Sequence, residues 1–196
     1  MTSAALDLGY LQSSVEELET YLLSGKLFWP LVSASPPGQP AYPRLTLGGL
    51  LLAQARSRAR DLPPDDETRL ITLESRIQRA KSKWWLAWTR KAVQEFHSRQ
   101  RQWRNYLHDL TANPDAHQPY YPSEVRIRVM MQLLLTEIEP PEEVDQKALV
   151  QLDKVLQRIF QPGDFIWDED LAHFFVRDVY WYLWGMPRPL DYDSGP

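Results

Sequence analysis

Between Asp65 and Asn113 the chain runs for 49 residues with neither proline nor glycine, although sixteen prolines are spread through the rest. Proline removes a helical donor and collides with the preceding turn, and glycine weakens a helix entropically. A window this long that excludes both predicts one continuous helix over about residues 65–112, up to ~70 Å long at ~1.5 Å per residue. Its first turn, Asp65-Asp66-Glu67, places acids at the positive end of the helix dipole. Leu70, Leu73, Ile77, Ala80, Trp84 and Ala87 step by three and four residues, and the stripe continues through Trp88, Ala92, Phe96, Arg99, Trp103 and Tyr106 to Leu110. That spacing calls for packing along most of its length, against helices of this chain or a second copy.

The rest reads as shorter helices around that axis. Ser14 with Glu17 three residues on suggests a cap for a first helix that Gly25 stops. Thr46 suits the cap of a second helix running to about Arg60. Between them five prolines fall within Pro30–Pro43, so about residues 29–44 form a non-helical, proline-rich strap draped on the core through Trp29, Leu31 and Tyr42. Ser123 opens a helix to about Ile138, Pro141 another to about Phe160, and Asp168–Trp184 reads as one helix or two short ones. No strand alternation stands out. The expected fold is all-α, about six helices around one long central helix, in a single domain over residues 1–190 with a frayed tail at 191–196.

Charge is distributed unevenly. The net charge of −4 conceals a basic middle, with nine bases and one acid, Glu95, between Arg76 and Arg104. Residues 111–196 carry fifteen acids and seven bases, a net of −8. The basic block must pair with that acidic third or face a partner. Lys81, Lys83, Arg90, Lys91, Arg99, Arg101 and Arg104 are the candidate partner or phosphate contacts. Trp85, on the side of Lys81 and Thr89, is the candidate stacking residue. Arg44, Thr46, Gly48 and Gly49 make a weaker anion-site candidate at a helix start, although their spacing matches no phosphate-binding loop.

Several chemistries lack their residues. With no cysteine, disulfides, thiolate metal sites and cysteine nucleophiles are excluded. His97 and His108 stand about three helical turns apart, too far to share a metal, and no Glu-x-x-His pairing suits a carboxylate bundle. The expectation is no catalytic residues, no metal and no cofactor. The longest apolar stretch, Leu45–Ala55, is about half of what a bilayer crossing needs, and the N-terminus has no basic leader, which predicts a cytoplasmic protein. The function expected is a non-enzymatic helical interaction module, such as a subunit of a larger assembly, that presents its basic-aromatic helix to a protein partner or a second copy. Nucleic-acid binding through the Lys81–Arg104 face is the alternative.

Overall fold

The computed structural model describes residues 3–139, 144 and 146–188. In chain order the helices are α1 (Ala4–Leu23), α2 (Leu47–Ala59), α3 (Pro64–Lys83), α4 (Trp85–Ala112), α5 (Pro114–His117), α6 (Tyr121–Glu124), α7 (Arg126–Leu135) and α8 (Gln146–Ile159). Two strands follow, β1 (Phe160–Phe165) and β2 (Trp184–Pro187), joined as an antiparallel ribbon. The fold is mostly helical and all-α in class. The expected helix start at Pro141, with Glu142 and Glu143, and the tail at 191–196 lie outside the described residues.

The long central helix is not continuous: it breaks at Trp84, whose backbone sits at φ −119° and ψ 37°. Hydrogen bonds still run from the Trp84 amide to Ala80 and from the Trp88 amide to the Trp84 carbonyl, so the chain bends and continues. The spacing of the apolar residues explains the bend. From Ala80 to Phe96 they recur every four residues, and at ~100° per residue each step swings the stripe by about 40°. A straight helix would turn its two apolar ends toward different sides. Bent, α3 lays Leu70, Leu73 and Ile77 along α1, while α4 faces α7, α2 and α8. Trp88, Phe96 and Trp103 of α4 are fully buried. Each withdraws ~150–250 Å² from water, an upper estimate of about 4–6 kcal/mol before entropy is charged.

α1 begins earlier than Ser14. Ser3 is its cap, accepting from the Leu6 amide at 3.2 Å, and Ser14 lies buried inside the helix. Gly9 interrupts the pattern for a steric reason: a Cβ there would meet the Tyr42 hydroxyl at 2.3 Å. Thr46 does cap α2, accepting from Gly49 at 3.0 Å, and the strap is non-helical from Trp29, which bridges to Leu45, onward.

The segment Asp168–Trp184 forms no α-helix, and its two helical pieces are only three residues long each. It makes tight 3-10 turns at Glu169–Leu171 and Trp181–Leu183 around a knot of rings. Phe175 is fully buried against Trp167, Phe174 and Tyr180. Aromatic and β-branched side chains in near-continuous runs favour such packing over a helix with one apolar face. The strands were also unforeseen, since β1 contains Pro162 and Gly163 and its ladder is interrupted between Pro162 and Phe165. Gly185, at φ 139°, supplies the close approach: a Cβ there would meet the Gln161 carbonyl oxygen at 2.1 Å.

Candidate interaction surface

The seven candidate cations divide into two groups. Four are engaged by the protein itself. Lys81 pairs with Glu137 at 2.6 Å, and the same carboxylate accepts the Trp88 indole N–H at 2.9 Å. Lys83 pairs with Glu19 of α1 at 3.1 Å, holding that carboxyl below its ordinary range. Lys91 is 3% exposed, and its ammonium donates to the carbonyls of Ser24 and Lys26 where α1 ends. It also lies over the Tyr21 ring at 4.6 Å, and burial pushes its pKa down. Carbonyls at the negative end of a helix are a natural seat for a cation that has no carboxylate.

Arg99 completes the internal group and explains the weak anion site. Glu95 is 0% exposed. Its carboxylate accepts the Gly48 amide at 2.9 Å and the Arg99 guanidinium at 3.0 and 3.1 Å. Arg99 also reaches the Thr46 hydroxyl at 3.3 Å. The positive end of α2 is therefore occupied by the chain's own carboxylate. Gly48 leaves the room for it, because a Cβ would stand 2.7 Å from the Glu95 oxygen, and Gly49 similarly makes way for the Tyr10 hydroxyl. Arg44 lies exposed on the strap, and its carbonyl accepts from Tyr10 at 3.4 Å.

Arg90, Arg101 and Arg104 form the other group: exposed, with no ion-pair partner among the described residues. At ~100° and ~1.5 Å per residue the three lie within about 40° of one line over about 21 Å of α4. Leu86 continues this outer stripe and is 78% exposed, and Trp85 beside it is 38% exposed. Lys83, Trp84, Trp85, Leu86, Ala87 and Arg90 surround a hollow of about 330 Å³ at the bend. Leu23, 59% exposed, stands one turn from Glu19 on α1 and so adds apolar surface on the Lys83 side. Exposed large apolar side chains gathered this way are uncommon on a surface with no contact to make.

Two further ion networks escaped the sequence because their partners lie far apart along the chain. Arg60, which caps the C-terminus of α2, holds Asp7 at 2.7 Å, Asp168 at 3.2 Å and Asp170 at 3.1 Å. Arg128 of α7 grips Asp153 of α8 through two bonds of 2.8 and 2.9 Å and lies 4.7 Å from the Tyr182 ring centre. A small cleft of about 170 Å³ between α2, α3, α4 and α7 gathers Gln54, Arg58, Lys81 and Glu137, but these groups already bond one another or Glu74. Among the described residues no group of three acids or histidines could hold a metal, and no helix is long and apolar enough to cross a membrane. Set against family models, curated proteins and solved structures, the chain matches none of them.

Proposed function

We propose that the protein is a non-enzymatic helical interaction module whose contact surface is the α3–α4 bend together with the outer face of α4. The observation that carries this reading is the exposed Trp85-Leu86 pair beside the bend, continued along α4 by three unpaired arginines. An apolar anchor with a cationic rim suits a protein partner that offers an apolar side chain flanked by carboxylates. The cations Lys81, Lys83, Lys91 and Arg99 serve instead to fasten α1, α2 and α7 to the bent helix.

The alignment of Arg90, Arg101 and Arg104 also keeps nucleic acid as a second reading, in a weakened form. Three phosphate contacts give a salt slope near −2.7, so raising salt from ~50 to ~200 mM should weaken duplex binding about 40-fold. Both readings are tested with one set of variants. A photo-crosslinking side chain at Leu86 should give a discrete protein adduct that the Arg90→Glu, Arg101→Glu variant loses, while the same probe at exposed Ile71 of α3 gives none. Equal adducts at both positions, or none, would sink the protein-docking reading. Salt-steep anisotropy changes with a labelled duplex would replace it with nucleic acid.

A further inference from the structure

The proline-rich strap has a regular conformation. A turn at Pro36–Gln39 is closed by the Gln39 amide on the Pro36 carbonyl at 3.1 Å, with Pro37 second and Gly38 third at φ 81°, the pattern of a type II turn. From there burial recurs every three residues. Gln39, Tyr42 and Leu45 turn toward the body, whereas Pro40, Ala41, Pro43 and Arg44 are exposed. Three residues per turn is the period of a polyproline II helix, which makes no internal hydrogen bonds and leaves its carbonyls free. The inner row fixes the strap: the Tyr42 ring meets Tyr10 edge-on at 6.1 Å and its hydroxyl fills the space over Gly9. Glu17 binds the other end through the Trp29 indole at 2.7 Å and the Val32 amide at 2.8 Å. Past the Gly38 turn, the exposed Pro40 and Pro43, three residues apart with Arg44 beside them, are thus held ready in the form in which proline-rich ligands bind.

Elsewhere the chain carries a receptor of matching chemistry. Phe160, Pro162, Trp181 and Trp184 line a groove of about 190 Å³ on the ribbon, edged by Gln157 and Arg177. Phe160 and Trp181 stand perpendicular at 5.2 Å. The Trp184 indole N–H is spent on the Phe175 carbonyl at 2.9 Å, which fixes its ring. The Trp181 N–H has no partner among the described residues and is not buried. Polyproline ligands seat their rings against flat aromatic walls, and a free indole donor suits an unbonded proline-segment carbonyl. Among the described residues, no hydrogen bond or ring contact joins strap and groove within the chain.

We propose that this groove receives the proline strap of a second copy. The proposal stands apart from the α4 surface, since it uses none of those residues. Reciprocal exchange of straps closes a two-fold dimer, and one-way exchange builds a ring or chain. A single ridge buries well under the ~1,200 Å² of a stable interface, so association is weak and concentration-dependent.

The test is sedimentation of the full chain at about 10 and about 500 µM, where mass action separates weak self-association from a monomer. The parent should gain mass at the higher concentration. Pro40→Ala, Pro43→Ala, both on the exposed ridge, should weaken association at least tenfold. Trp181→Phe, which keeps a smaller aromatic ring and deletes the indole N–H, should weaken it severalfold, with the melting temperature of the proline variant unchanged. A fluorescent peptide of residues 35–45 should bind the parent and lose at least tenfold in affinity to Trp181→Ala protein. A parent that stays at the mass of one chain overturns the proposal. If the peptide still binds such a monomer, the groove serves a foreign proline-rich segment instead. Association indifferent to both variants overturns it as well.

Discussion

Replacing Glu95 by alanine tests the internal packing of the basic helix most directly. The side chain is fully buried, and its two oxygens receive the Gly48 amide and two bonds from Arg99. Removing it orphans a buried N–H and leaves the Arg99 side chain, 13% exposed, without its counter-charge. Breaking one side of such a pair typically costs ~3–5 kcal/mol. In a chain of this length that lowers the melting temperature by about 6–20 °C. Glu95→Gln keeps an acceptor for Gly48 and should cost less, ~1–3 kcal/mol. Arg99 retains Thr46 at 3.3 Å, Gln102 at 3.3 Å and the Phe28 ring at 5.6 Å, which limits the penalty on its side. Urea unfolding followed by tryptophan fluorescence would measure each variant, and a double-mutant cycle with Arg99→Met isolates the pair. The coupling should reach ~1–3 kcal/mol. A loss below ~1 kcal/mol for Glu95→Ala would refute the account, because only a solvated carboxylate could be removed so cheaply.

Four further outcomes are expected. Burial raises the pKa values of Tyr10, Tyr21, Tyr106, Tyr121 and Tyr182 above the ordinary 10.0, so these phenols favour the folded state below pH 10, and that contribution is lost as pH rises beyond it. The phenolate absorbance should therefore lag until unfolding, and urea midpoints should fall above about pH 10. Lys91 carries the opposite sign: its pKa is lowered from 10.5, so its charged form costs stability below the folded value and the cost is relieved as pH approaches 10.5. Lys91→Met should steepen the alkaline fall, read as the difference in urea midpoints between neutral and alkaline pH. Arg128→Met should cost ~3–5 kcal/mol and speed amide exchange in the β ribbon, whereas Lys83→Ala, in an exposed pair, should cost under ~1 kcal/mol by urea titration. Replacing Arg90, Arg101 and Arg104 together by alanine should leave the melting temperature unchanged within about 2 °C in a thermal scan, since none has a side-chain bond to another described residue to lose.

Features set by neighbouring residues were legible in the chain. The Thr46 cap, the acidic first turn of α3 and the strap follow from local rules, and each stands where those rules put it. The four-residue step from Ala80 through Trp84, Trp88 and Ala92 to Phe96 carries the drift behind the Trp84 bend, but Ala87, three residues past Trp84 and also packed on the core, offers the stripe a second path that hides it. The fate of the cations was half legible. Lys91, Glu95 and Arg99 are spaced by four along the inner side of α4, a local pattern that could carry a bridge but does not by itself say which groups it joins. Their partners, the Ser24 and Lys26 carbonyls and the Gly48 amide, belong to other elements and carry no signal of their own. The pairings Arg60–Asp168 and β1–β2 lay beyond reach for the same reason, since long-range contacts depend on where the chain returns.

The bend ties these observations together. At ~100° per residue Lys81 and Arg99 lie on the opposite side of the helix from Lys83, Arg90 and Arg101, so the cations could not have formed a single ridge even on a straight helix. At the end of α3, Lys81 pairs with Glu137 just past α7 and Lys83 with Glu19 of α1, so the charges nearest the junction are consumed inside the protein. The tryptophans divide in the same way: Trp88 sinks into the core, while Trp85 stays partly in water with Leu86. What remains outside is an apolar corner followed by three arginines in line. A sequence dense in lysine, arginine and tryptophan therefore presents a much smaller and more selective surface than its composition implies. An anchor with a charged rim is the chemistry that the proposed interaction reading requires, with shape set at the bend and charge along α4.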